Sequence, residues 1–297
     1  METKKIITIN KIDTVCKDEV VLNMSFKVPT LVKWAGGKKR LLPQFYNFFP
    51  EKIERYIEPF VGSGAVAFYV IKHFKPKFVL LSDINEELIN AYNVVKNNVP
   101  ELITALTILT RKHNKEFYYK TRDTDPHDLS NIDWAARFIY LNKTCFNGLY
   151  RVNSKGKFNV PIGSYKNPQI LDIKSLLEIH KLLRNATIKV MPFENVLEYA
   201  KNGDFIYLDP PYYPIKEGKS FTKYSKNDFS KTDHEKLAEV FKKLDKLGCK
   251  VMLSNSDTQF IKELYKNYNI NIVRAKRMIN CDATKRGEIN ELVVTNY

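Results

Sequence analysis

Two short apolar runs, each closing on an aspartate, constrain the fold more than any other feature: Phe78-Val79-Leu80-Leu81-Ser82-Asp83 and Asp204-Phe205-Ile206-Tyr207-Leu208-Asp209. An unbroken apolar run of this length suits a strand buried on both faces, as in a parallel sheet covered by helices. A third run, Lys250-Val251-Met252-Leu253-Ser254-Asn255, follows a segment in which Leu237, Val240, Phe241, Leu244 and Leu247 recur at helical spacing. Thr232 and Glu235 match a capping box at the start of that helix, and Gly248 suits the left-handed residue beyond its end. Strands alternating with helices predict an α/β fold with a doubly wound sheet, whose strand ends hold the chemistry.

The middle of the chain differs. From about residue 98 to 185 helical patterns such as Trp134-Ala135-Ala136-Arg137-Phe138-Ile139-Tyr140-Leu141 lead into a polar, basic loop over 142–168. This reads as a mainly helical insertion, with a hairpin near 142–168, between two halves of the sheet at 28–97 and 186–297. Residues 1–27 alternate only weakly and read as an N-terminal arm without an assigned function. With 297 residues, 44% of them hydrophobic, a large core is available, which excludes a disordered tail and a disulfide-stapled scaffold.

Charge points outward. The balance is 48 Lys+Arg against 33 Asp+Glu, or +15, so a polyanion is the default partner, although an AT-rich genome also produces Lys-rich proteins. Cys16, Cys145, Cys249 and Cys281 form neither a CxxC pair nor a His-flanked cluster, so no metal site is expected and free thiols fit the cytoplasm. No run approaches the roughly 18 apolar residues of a membrane helix, and the N-terminal stretch is too broken by charge for a secretory signal.

The strongest chemical signal is Asp209-Pro210-Pro211-Tyr212, directly after a buried strand. Two prolines stiffen the turn and withhold two backbone donors, leaving carbonyls and a carboxylate as acceptors. That suits an exocyclic amine, and Tyr212 offers a flat face for a base; a plain tight turn is the alternative. A second signal is Tyr56-Ile57-Glu58-Pro59-Phe60-Val61-Gly62-Ser63-Gly64-Ala65, a strand passing through a G-x-G turn into an apolar helix, with Ala67 where a dinucleotide fingerprint has its third glycine. About twenty residues on, Asp83 ends the next strand and can accept both hydroxyls of a ribose, or else cap the helix starting near Glu86. The pair suggests an adenosine without a diphosphate. A third signal, Lys33-Trp34-Ala35-Gly36-Gly37-Lys38, leaves room beside an indole, with Lys38 able to meet a carboxylate; a core Trp beside a solvated Lys is the alternative.

The order W-A-G-G-K, E-P-F-V-G-S-G, S-D-I-N, inserted basic loop, D-P-P-Y resembles the Dam-type DNA adenine-N6 methyltransferases, over roughly residues 28 to 297. The resemblance implies a Rossmann-like class I methyltransferase fold and S-adenosylmethionine as cofactor. Its contacts would fall on Trp34, Lys38, Pro59, Phe60, Gly62, Gly64, Asp83 and Asp209, and Asp209, Pro210, Pro211 and Tyr212 would form the catalytic tetrapeptide. The loop segments Phe146-Asn147-Gly148-Leu149-Tyr150-Arg151-Val152-Asn153 and Phe158-Asn159-Val160-Pro161-Ile162-Gly163 resemble the DNA-reading hairpin of GATC-methylating members. Arg151 suits bidentate contact with guanine, Leu149 and Pro161 suit a thymine methyl, and Phe146, beside Asn147, suits wedging into the stack left by a flipped base. Phe146 as a hairpin core residue is the alternative. Lys33 and Tyr165 match positions contacting the outer part of the site, whereas Ser164 stands where GATC-methylating relatives often carry Arg.

The implied reaction is methyl transfer to adenine N6 in double-stranded DNA, with Asp209 and the Pro210 carbonyl drawing the amine hydrogens out of plane. Cytosine-C5 chemistry is excluded, because none of the cysteines follows a proline; Cys145 is expected to be a bystander. Transfer to cytosine N4 or an RNA adenine stays open, with Asp at 209 leaning toward adenine, as does a nonenzymatic DNA-binding relative. Ser254-Asn255-Ser256-Asp257 is expected to support the site, and the basic cluster Arg274, Lys276, Arg277, Lys285 and Arg286 to lie on a solvated face or against phosphates. A monomer in the cytoplasm, associated with DNA and needing no protein partner, is expected. A cognate restriction endonuclease accompanies such enzymes where their role is restriction protection.

Overall fold

The computed structural model describes residues 26–215, 229–276 and 288–297, and its strands form one seven-stranded sheet. In chain order they are β1 Arg55–Glu58, β2 Phe78–Asp83, β3 Ala186–Val190, β4 Phe205–Leu208, β5 Lys250–Ser256, β6 Asn269–Lys276 and β7 Glu288–Thr295. Across the sheet the order is β3-β2-β1-β4-β5-β7-β6. The first five of these run parallel, and β7 is antiparallel to both β5 and β6. This is the mixed α/β arrangement that the apolar runs predict, and the Rossmann-like one that the resemblance implies.

In the central strands β1, β2, β4 and β5 both sheet faces are buried, and alternation along each strand shows why. Tyr56, Leu81, Phe205, Tyr207 and Met252 enter one hydrophobic cluster, while Ile57, Leu80, Ile206, Leu208 and Leu253 enter the other. Helices α1 Ala65–Phe74, α2 Glu86–Asn97, α3 Val99–Arg111, α4 Lys115–Asp123, α5 Asn131–Thr144 and α6 Ile173–Leu183 follow one another before β3. Leu102 and Leu106 of α3, Tyr118 of α4 and Phe138 and Ile139 of α5 share the first cluster with the strands. Buried Arg137 fastens the segment further: its guanidinium donates to the carbonyls of Thr121 at 3.0 Å and Arg122 at 2.7 Å and reaches Glu87 of α2 at 3.5 Å.

Two helices complete the described fold, α7 Lys231–Lys246 and α8 Gln259–Leu264. The capping box of α7 is Ser230 with Asp233, two residues before the expected Thr232 and Glu235. Ser230 has the extended backbone that a cap requires, and its hydroxyl and amide exchange bonds with Asp233, so the chain is already helical at Thr232. Leu237, Val240, Phe241 and Leu244 are buried as expected, but Leu247 lies past the helix and is 41% exposed. Gly248 takes the left-handed conformation, φ 82°. Among the described residues no helix is long and apolar enough to cross a membrane. The arm up to residue 25, Cys16, Cys281, Arg277, Lys285, Arg286 and the side chain of Lys276 lie outside the described residues.

Candidate active site

The strand order turns about between β1 and β4, and in open α/β sheets the crevice beyond the carboxyl ends of such a pair is where ligands bind. The G-x-G turn leaves β1 there and Asp209 leaves β4. Gly62 and Gly64 have φ of 46° and 76°, a region that side-chain-bearing residues rarely adopt. Space forbids a side chain as well: a Cβ on Gly64 would lie 2.5 Å from the Tyr92 hydroxyl, and one on Gly62 2.9 Å from the Trp34 ring. Tyr92 donates to the Gly62 carbonyl at 3.0 Å, and Asp83 accepts from the Gly62 amide at 3.3 Å and the Asn85 amide at 3.0 Å. The cap of α2 is Asn85, which accepts from the Leu88 amide, so Asp83 is not the helix cap. Burial pushes the Asp83 carboxyl up to about 6, with the amides of Asn85 and Gly62 opposing the shift. Pro59 is buried, and Phe60 stacks on Phe193 at 5.6 Å.

Asp209 stands at the centre of a polar relay. Its Oδ1 accepts from the Ser254 hydroxyl at 2.7 Å and the Lys38 ammonium at 2.8 Å, and Ser254 is bonded in turn to the Tyr207 hydroxyl at 2.8 Å. Among the described residues Oδ2 has no partner. Lys38, only 4% exposed, also donates to the Gly36 carbonyl at 2.6 Å and lies 4.6 Å from the centre of the Tyr212 ring. Tyr212 donates to Glu291 Oε2 at 2.6 Å. Ser254, Asn255 and Ser256 do brace the turn: the Asn255 side chain accepts from the Tyr213 amide and the Ser256 hydroxyl donates to the Tyr213 carbonyl. Asp257 instead pairs with Lys262 at 2.6 Å. Beneath the turn from β1, Glu58 is 2% exposed and accepts from the Tyr56 hydroxyl at 2.7 Å. Burial raises its carboxyl well above the usual range, and the nearby Asp209 and Asp83 charges add to that.

The hairpin flanks this crevice. Its strands are joined through Phe146 to Pro161, Gly163 to Thr144 and Asn159 to Arg151, and the Asn153 side chain closes the tip on the amides of Lys155 and Lys157. Asn142 grips both backbone groups of Lys33, each at 2.8 Å, which ties the W-A-G-G-K segment to the hairpin base. Trp34 stacks on Tyr150 at 5.6 Å, and the Lys33 ammonium lies 4.2 Å from the Tyr165 ring centre. Lys33, Phe146, Asn147, Arg151, Pro161 and Tyr165 are exposed and Leu149 is half-buried. Phe146, at 48% exposure, is therefore not a hairpin core residue. Arg151 folds onto Asn159, bonding its side-chain oxygen at 2.7 Å. Cys145 is buried in the hydrophobic core, burial pushes its thiol up to about 12, and its hydrogen bonds among the described residues go to main-chain carbonyls.

Residues 34–279 match the family model of D12 class N6 adenine-specific DNA methyltransferases. The chain belongs to that family. It is 48% identical over 288 residues to the Type II methyltransferase M.MjaIII of Methanocaldococcus jannaschii, covering 91% of this chain and all of the relative. It is 43% identical to the Type II methyltransferase M1.LlaDCHI of Lactococcus lactis, covering 89% and 94%. With the DNA adenine methylase of Haemophilus influenzae it shares 35% identity, covering 92% and 95%.

Membership makes the chain an adenine-specific DNA methyltransferase with S-adenosylmethionine as methyl donor, and the crevice fits such a molecule. Gly62 keeps the turn close to the Trp34 ring where a Cβ would intrude, Gly64 does the same against Tyr92 and Phe68, and Asp83 stands beside Gly62 as an acceptor. The geometry also brings in residues to which the sequence assigns no role of their own: Glu58 and Tyr56, quoted only within the G-x-G segment, Tyr207, quoted only within a strand, and Glu291. The one local signal for Glu291 is an acid immediately before the apolar run Leu292-Val293-Val294.

Proposed function

We propose that this enzyme methylates adenine N6 within GATC in double-stranded DNA, on a target base swung out of the duplex into the crevice beside Asp209. The observation that carries the reading is the state of the Asp209 carboxylate. Ser254 and Lys38 occupy Oδ1, and Oδ2 is left among the described residues as an acceptor beside the Tyr212 ring. An amine brought there donates one N–H to Oδ2 and the other to the Pro210 carbonyl, which pulls its lone pair out of conjugation with the ring. Tyr212 supplies the stacking surface that offsets part of the cost of extruding the base, a few kcal/mol.

Bound S-adenosylmethionine supplies an electrophilic methyl carbon. As N6 takes up that methyl group, the proton it loses would leave to Asp209 or water. Trp34, Lys38, Pro59, Phe60, Gly62, Gly64 and Asp83 hold the donor in this reading, with Asp83 taking the ribose hydroxyls. Nothing covalent forms with the protein, so catalysis is positioning and electrostatics.

Residues 98–185 are the reading unit. Arg151 releases Asn159 to meet guanine, Leu149 and Pro161 meet the thymine methyl, Phe146 and Asn147 enter the gap in the stack, and Lys33 and Tyr165 contact the outer bases. The chain acts as a monomer, and its kinship with Type II methyltransferases supports a role opposite a cognate restriction endonuclease. Mapping methylated adenines across a methylation-free genome after expression tests the specificity. Modification confined to GATC is expected, and any other motif overturns the site preference. A 2-aminopurine at the target position should brighten on binding, and unchanged emission overturns base extrusion.

A further inference from the structure

We infer that Glu291 is a positioning residue for methyl transfer, fixing the plane of the Tyr212 ring through its hydroxyl. The inference rests on the proposed stacking role of Tyr212. Glu291 lies in β7 with its backbone paired on both sides, opposite Ser256 of β5 and Val273 of β6. Tyr212 follows the end of β4 in irregular chain. The 2.6 Å bond between them has the length of a charge-assisted hydrogen bond and ties the loop ring to the sheet. A phenolic hydroxyl prefers to lie in the plane of its ring, so an acceptor fixed in space sets the ring plane as well as its position.

The rest of the strand shows that packing does not require an acid here. Leu292, Val293 and Val294 are fully buried, and burial pushes the Glu291 carboxyl above its ordinary range, with Lys38 and the Tyr212 hydroxyl opposing. An apolar residue would carry no such penalty. Among the described residues Glu291 has no salt bridge, and its side chain bonds only Tyr212. The Lys38 ammonium sits over the same ring at 4.6 Å, so a cation and a hydroxyl acceptor together constrain one aromatic plane.

The test is a double-mutant cycle of Glu291→Ala and Tyr212→Phe, read as the single-turnover rate of methyl transfer from labelled S-adenosylmethionine to methylation-free genomic DNA. Glu291→Ala should slow transfer about tenfold, the scale of one hydrogen bond to a charged group. In the Tyr212→Phe background the same change should cost less than about twofold, since no hydroxyl is left to fix. Equal losses in both backgrounds, or no loss in the first, overturn the inference. Should alanine unfold the sheet, Glu291→Met, closer in volume, carries the same cycle. The bond itself is read without activity from the tyrosine Raman doublet in the parent-minus-Tyr212→Phe difference spectrum. A strong-donor signature lost in Glu291→Met supports the inference, and its absence from the parent overturns it. A parent that shows the signature and transfers nothing to adenine overturns the functional reading instead.

Discussion

Removing the Asp209 carboxylate should destabilise the free protein as well as stop its chemistry, and the reason is Lys38. That ammonium is 4% exposed and has three direct contacts among the described residues, the Gly36 carbonyl, the Tyr212 ring and Asp209 Oδ1 at 2.8 Å, with the Glu291 and Glu58 carboxyls acting on it from further off. Asp209→Ala leaves it hydrogen-bonded to a neutral carbonyl alone, a buried cation whose one direct ion pair is gone. Breaking a buried pair from one side costs about 3 kcal/mol, which for a chain of this size lowers the melting temperature by about 6 °C. Asp209→Asn keeps an acceptor for Ser254 and should lose less. In the Asp209→Ala background, Lys38→Met removes the stranded charge and should recover much of the loss. Thermal unfolding followed by circular dichroism, without donor or DNA, measures all four proteins. The reasoning is refuted if Asp209→Ala melts with the parent, or if Lys38→Met lowers the melting point further in that background.

Three other outcomes are expected. The Asp83 carboxyl, raised by burial from its ordinary 3.8 to about 6, is ionised above that pH and protonates below it. Acidification from pH 7 to 5 therefore protonates about nine-tenths of it and should weaken donor binding roughly tenfold by calorimetry, whereas Asp83→Asn should bind weakly with a flat profile. Gly64→Ala forces a side chain onto φ 76° and within 2.5 Å of the Tyr92 hydroxyl, and should cost about 3 kcal/mol or more by denaturant unfolding. Arg151→Ala should relax base choice in sequencing-based methylation maps more than it weakens DNA affinity, because phosphate contacts dominate binding.

Much of this molecule is legible before its coordinates because the signals are local. Strands β2, β4 and β5 announce themselves as runs buried on both faces, and the G-x-G turn and Asp209-Pro210-Pro211-Tyr212 each carry their constraint within a few residues. The start of α7 shows the limit of that reading. Ser230 with Asp233 and Thr232 with Glu235 have the same spacing, and only backbone geometry decides between them. Glu291 is invisible for a different reason. It reaches Tyr212 because β7 runs antiparallel between β5 and β6, a pairing set by the whole sheet rather than by any local pattern. The link between Lys38 and Asp209 is equally non-local: each is flagged for its own motif, yet their ion pair exists only because the W-A-G-G-K segment folds over the end of β4.

The most direct test of the acceptor site is to let the enzyme transfer a labelled methyl to unmethylated duplex DNA, digest to nucleosides, and ask which one is labelled. All label should appear in N6-methyldeoxyadenosine with the parent and none with Asp209→Ala. Label in N4-methyldeoxycytidine, or undiminished labelling by Asp209→Ala, would contradict the account.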